Sequence, residues 1–103
     1  MSAAELPGSP STSVLGDPFA WSTSASVAYG VALEVLGEMV AICAAEIWAE
    51  EHADAPDPDR LRRAQQAQAR YARERRSLRL GDGEEIARVT REYGAILRRR
   101  RST

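Results

Sequence analysis

The sequence predicts an all-α protein: a three-helix arrangement with one long central helix and two shorter helices folding back on it, completed by oligomerisation. Three observations predict it. Tyr29, Leu33, Leu36, Val40, Cys43 and Ile47 recur at alternating spacings of four and three, the seam of a buried helix. Two start signals, Asp57-Pro58 and Gly81-Asp82-Gly83, divide the remainder into two further helical stretches. β-branched residues are few and never alternate over a useful length, so no strand is expected.

The chain has 103 residues, which sets one small domain with a thin core. Domains of this size often gain stability from a disulfide, a metal or a second copy. Cys43 is the single cysteine, so no disulfide closes within the chain. One cysteine, and a start (MSAAELPGSP) without a basic or apolar leader, lead to the expectation of a reducing, cytoplasmic setting.

Net charge is −1, yet the halves are opposite. Residues 1–59 carry ten acidic residues and no Arg or Lys; residues 60–103 carry fourteen Arg against five acidic residues. An acidic helix facing basic helices favours antiparallel pairing within a chain and head-to-tail pairing between chains.

Residues 1–17, rich in Pro, Ser, Gly and Thr, read as a disordered or loosely draped arm, because they cannot bury enough apolar surface to offset ordering. A single helical domain is expected over 18–103. Asp17-Pro18 is one start signal for the central helix, and the hydroxyls of Ser22, Thr23, Ser24 and Ser26 are another, so the helix begins near 18 or near 25. It should run to about 52, where Pro56 and Pro58 forbid continuation. The second helix is expected over about 58–79, with Asp57 as its cap and Leu61, Ala64, Ala67, Tyr71 and Leu78 as a narrow apolar face. The third is expected over about 83–99, with Asp82 as its cap and Ile86, Val89, Tyr93, Ile96 and Leu97 as its apolar face.

A second apolar stripe on the central helix, Val31, Val35, Met39 and Ile42, is separate from the seam. Two short helices cannot cover both stripes. This second stripe is therefore expected to meet another copy of the chain, a dimer being favoured, with about 800 Å² per partner needed for a stable contact. Trp21 and Trp48 join these four as interface candidates, since Trp is enriched among anchoring residues. A different protein partner is a further expectation for the same helix–helix contacts.

The arginines supply the rival reading. Arg70, Arg73 and Arg76 on the second helix and Arg98, Arg99, Arg100 and Arg101 on the third are candidates for nucleic-acid binding, since clustered Arg neutralises phosphates. The bland alternative is that they pair with the acidic helix and keep the fold soluble.

No catalytic residue, cofactor or metal ligand is nominated. A carboxylate metal site in a bundle needs a Glu-x-x-His pair, and the residue three before His52 is Ala49. Cys43 lies on the apolar seam, the place of a small buried hydrophobe. No Gly-rich phosphate loop or Ser/His/Asp set occurs. From Val27 to Ala49 the chain is long enough to span a bilayer, but Glu34, Glu38 and Glu46 interrupt it. Each carboxylate at mid-membrane costs about 2.5–3.5 kcal/mol, so a soluble helix without membrane contact is expected.

A long helix, then a helix opening with Asp57-Pro58-Asp59-Arg60, a short loop and a third helix resembles the architecture of all-helical chorismate mutases, over Val27 to Arg99. Those enzymes bind a dicarboxylate with Arg and Lys from the long helix. Here the long helix has no basic residue and the chain no lysine, so the resemblance implies the architecture and not the activity. The expected role is a non-catalytic, self-associating assembly or adaptor protein; the alternative is a nucleic-acid-binding dimer.

Overall fold

The computed structural model describes residues 22–102. The protein is all-α: α1 spans Thr23–Glu51, α2 spans Pro58–Ser77 and α3 spans Gly83–Ser102. The expected N-terminal arm over residues 1–17 and the interface candidate Trp21 lie outside the described residues.

The later of the two start signals opens α1. Ser22 is its N-cap, and its hydroxyl accepts from the Ala25 N–H at 3.1 Å, satisfying one of the unpaired first-turn donors. The far end is closed by His52, whose backbone N–H donates to the Trp48 carbonyl at 3.1 Å. Asp57 caps α2 by accepting from the N–H groups of Asp59 and Arg60, and Pro58 takes the first helical position, where its missing N–H costs nothing. The Glu50 carboxylate accepts from the Asp57 N–H at 2.8 Å, so the end of α1 ties down the start of α2.

The second helix stops at Ser77, and Leu78 turns inward and is buried. Asp82 caps α3 by accepting from the Glu85 N–H at 3.1 Å. The third helix runs to Ser102, further than the expected end near 99. Two contacts carry the extension: Ser102 Oγ donates to the Arg98 carbonyl at 3.0 Å, and Arg101 pairs with Glu38 at 2.9 Å. Positive side chains at this carboxyl end also suit the helix dipole.

The direction of each helix follows from its contacts. Arg60 meets Glu50, Gln68 reaches the Val40 carbonyl and Arg75 reaches the Leu33 carbonyl, so α2 runs antiparallel to α1. Gly83 lies beside Ala25 and Ala28, and Arg101 pairs with Glu38, so α3 runs parallel to α1. Each short helix packs on α1; they meet one another through side chains, chiefly Tyr71 edge-on to Tyr93 and Glu74 with Arg88.

The core gathers Ala32, Val35, Leu36 and Met39 from α1, Leu78 from the connection, and Ile86, Val89 and Leu97 from α3. Ala32, Leu36 and Val89 have no exposed surface. The expectation that Val35 and Met39 face outward for a second copy is corrected here: both are in the core. The two short helices do not stack on the seam together. The antiparallel α2 follows one side of α1, while α3 lies on the side of Val35 and Met39. Val31 stays exposed and Ile42 is half-buried.

Candidate interaction surface

The outward face of α1 is the first surface. Val27 is 59% exposed, Val31 39% and Trp48 63%, and Ala41, Ala44 and Ala45 are exposed between them. Glu34 and Glu38 share this face. Of the most apolar eighteen-residue stretch of α1, only 28% is buried by the rest of the chain. By length and composition this helix would also pass for a membrane span. Trp48, an interface candidate, stands outside the packing of the three helices. It stacks on the His52 ring at 4.2 Å between centroids, and His52 Nδ1 lies 2.8 Å from the Trp48 carbonyl. The aromatic pair caps the end of α1 and stands out into solvent.

A groove of about 540 Å³ opens between α1 and α3 on the side away from α2. Ala25, Ala28 and Val31 form one wall, and Ile86, Ala87 and Thr90 the other, with Arg91 and Arg98 at the rim. Ala25 and Ala28 on α1 and Gly83 and Ala87 on α3 are the small residues of its walls.

The second surface is basic. Arg63, Arg70, Arg73 and Arg76 are exposed on α2. Helix geometry puts Arg70, Arg73 and Arg76 within one outward arc of about 120°. Arg70 lies over the Tyr71 ring at 4.9 Å. Among the described residues, Arg63, Arg73 and Arg76 have no carboxylate partner. The run Arg98 to Arg101 behaves differently: successive residues turn by about 100°, so the four side chains splay around the end of α3. Ion pairs join α1 to the basic helices, among them Arg101 with Glu38 at 2.9 Å and Arg60 with Glu50 at 3.9 Å. The acidic helix therefore does not consume the basic face of α2.

Protein-family models, curated proteins and solved structures were compared with the chain, and none matches it.

A cluster of paired charges sits at the α2–α3 junction. Arg88 reaches Glu85, Glu92 and Glu74, and the Tyr93 hydroxyl donates to Glu74. Hydrogen bonding to Glu85 holds the Arg88 guanidinium well above its usual range, and the same bond holds the Glu85 carboxyl below its own. Burial pushes the Tyr93 phenol up. This cluster has its polar atoms engaged with each other and holds the two short helices together. Sequence reasoning missed it; the spacings of Glu85 with Arg88 and of Arg88 with Glu92, three and four residues, were the readable signals.

Cys43 is buried, and burial first, then the charge of Glu46, raises its thiol pKa, while Arg70 and Arg100 pull the other way. A thiol held protonated in an apolar setting is a poor nucleophile. Glu46, Glu50, Arg60 and Arg63 line an open cleft at the other end of the α1–α2 hairpin, where Glu50 is engaged by the Asp57 N–H and Arg60. No group of three or more His, Cys, Asp or Glu able to hold a metal occurs among the described residues.

Proposed function

We propose that this protein is a non-catalytic helical assembly or adaptor protein that works by self-association through α1. The observation that carries the reading is the exposed apolar strip of α1, with Val27 and Trp48 largely open to solvent and Val31 partly so. Burying such a strip against another chain removes apolar area from water at roughly 25 cal/mol per Å², and contiguous exposed apolar patches mark interaction sites. Glu34 and Glu38 on the same strip favour a protein partner over lipid, because each carboxylate would face the bilayer interior. The protonated, buried thiol is compatible with a reducing, cytoplasmic setting.

Light scattering after size exclusion at micromolar concentration tests this. The expected result is a dimer or higher assembly that Val31→Glu splits without loss of helix content, since Val31 is outside the core. A strict monomer up to about 100 µM overturns the reading.

A second reading rests on the unpaired arginines of α2. Their outward arc suits a polyanion such as the phosphate backbone of a nucleic acid. A generic duplex titrated across a salt series distinguishes the two. Binding at low salt that collapses steeply with salt, and that Arg73→Glu with Arg76→Glu abolishes, supports it; no binding at low salt removes it.

A further inference from the structure

We infer that the groove between α1 and α3 is the self-association site, and that a second copy's α1 fills it with Glu34 of each copy set against Arg91 and Arg98 of the other. This rests on the self-association reading above and names its contact surface.

The groove is apolar along its walls and carries positive charge on its α3 rim. Glu34 stands outside it, about 60° beyond Val31 around α1, exposed and with no ion-pair partner among the described residues. The α3 edge holds Arg91 and Arg98. Arg91 has one loose contact, with its sequence neighbour Glu92 at 3.9 Å, and Arg98 has no carboxylate partner among the described residues. One copy thus presents both halves of a complementary pair, which is what a two-fold contact requires.

Packing one α1 directly on another with the helices antiparallel about Val31 would bring Glu34 towards its own copy. A parallel two-fold arrangement avoids this. Viewed down α1, Val31 lies between the α3 side, marked by Val35 about 40° away, and the Glu34 side, about 60° the other way. A second α1 seated against Val31 therefore brings its own α3 round to the Glu34 side. Because α3 runs parallel to α1 and spans Ala25 to Glu38, Glu34 comes level with the stretch of the partner's α3 between its Arg91 and its Arg98. Val27 and Val31 are then covered, and the groove walls of Ala28 and Ala87 receive the second helix. Trp48 lies outside this contact and stays exposed.

Charge reversal tests the pairing, read by sedimentation equilibrium with helix content checked by circular dichroism. Glu34→Arg alone and Arg98→Glu alone are each expected to weaken dimerisation at least tenfold, because each sets like charges against each other twice per dimer. Mixing the two single variants is expected to restore a dimer of one copy of each. The double variant is expected to regain self-association. Dimers unaffected by either reversal, or singles that weaken without rescue in the mixture, overturn this interface while leaving self-association intact. A wild-type chain that stays monomeric overturns both.

Discussion

The phenol of Tyr93 on α3 donates to both carboxylate oxygens of Glu74 on α2, at 2.9 and 3.0 Å. Glu74 also accepts from Arg88 at 3.2 Å, and Tyr71 meets Tyr93 edge-on at 5.2 Å. Besides the short connection at residues 78–82 and their common packing on α1, this cluster is the side-chain link that helps to fix the angle between the two short helices. A part-buried hydrogen bond to a charged acceptor contributes about 1.5–3 kcal/mol. Tyr93→Phe is expected to lower stability by about 1–2 kcal/mol in urea titration, the solvent-facing side of the cluster softening the loss.

The same phenol sets an alkaline limit. Burial raises its folded pKa above the unfolded value, so the folded state holds the proton more tightly. Its contribution is fully present below about pH 10 and is lost as pH rises through the raised folded value. Melting temperatures measured from pH 8 to 11.5 are expected to fall more steeply for the wild type than for Tyr93→Phe. Glu85 acts at the other limb with the opposite sign. Its pKa is lowered by hydrogen bonding to Arg88, so its contribution is present above the ordinary carboxyl range and is lost as pH falls through the lowered value. Glu85→Gln is expected to flatten the acid limb of the same profile.

Val35 and Met39 are core residues, so polar substitution there unfolds the protomer instead of merely separating copies. Met39→Ala is expected to cost about 2–5 kcal/mol, a large share of a typical total of about 5–15 kcal/mol. Thermal melts of the two α1 variants make the contrast: Met39→Ala loses cooperativity or melting temperature, whereas Val31→Glu keeps both.

The Asp57 side chain satisfies two first-turn donors of α2. Asp57→Ala is expected to lower stability by about 1 kcal/mol, read as a shift in the urea midpoint with an unchanged slope.

Cys43 is expected to react with a disulfide reagent at pH 8 on the order of ten times more slowly in the folded protein than in denaturant. Equal rates in both states would mean that the α1–α2 packing opens readily around it.

Much of this fold is legible in the residues themselves. Asp57-Pro58 and Asp82-Gly83 mark helix starts because capping is a local bargain between a side chain and its own first turn. The apolar faces of Ala64 and Tyr71 and of Ile86, Val89 and Leu97 follow from helical periodicity alone, whereas Leu78, expected on the second helix, is buried from extended backbone just past its end. The start of α1 is ambiguous in the sequence because Asp17-Pro18 and the Ser22 tract satisfy the same rule; the structure caps α1 with Ser22.

The assignment of faces on α1 belongs to the tertiary structure. A helix apolar on several sides shows how much surface needs cover and not which neighbour covers it. Val35 and Met39 went inward because α3 settled on their side, while α2, antiparallel, took another. Arg101 extended α3 because Glu38 lay within reach from sixty-three residues away. Arg73 and Arg76 stayed open because α2 turns them towards its outer side, away from the acids of α1. Local rules determine where helices start and stop, since their causes lie within a turn or two of chain. Which greasy or charged side remains exposed is decided by the positions of whole helices, which no short window of residues contains.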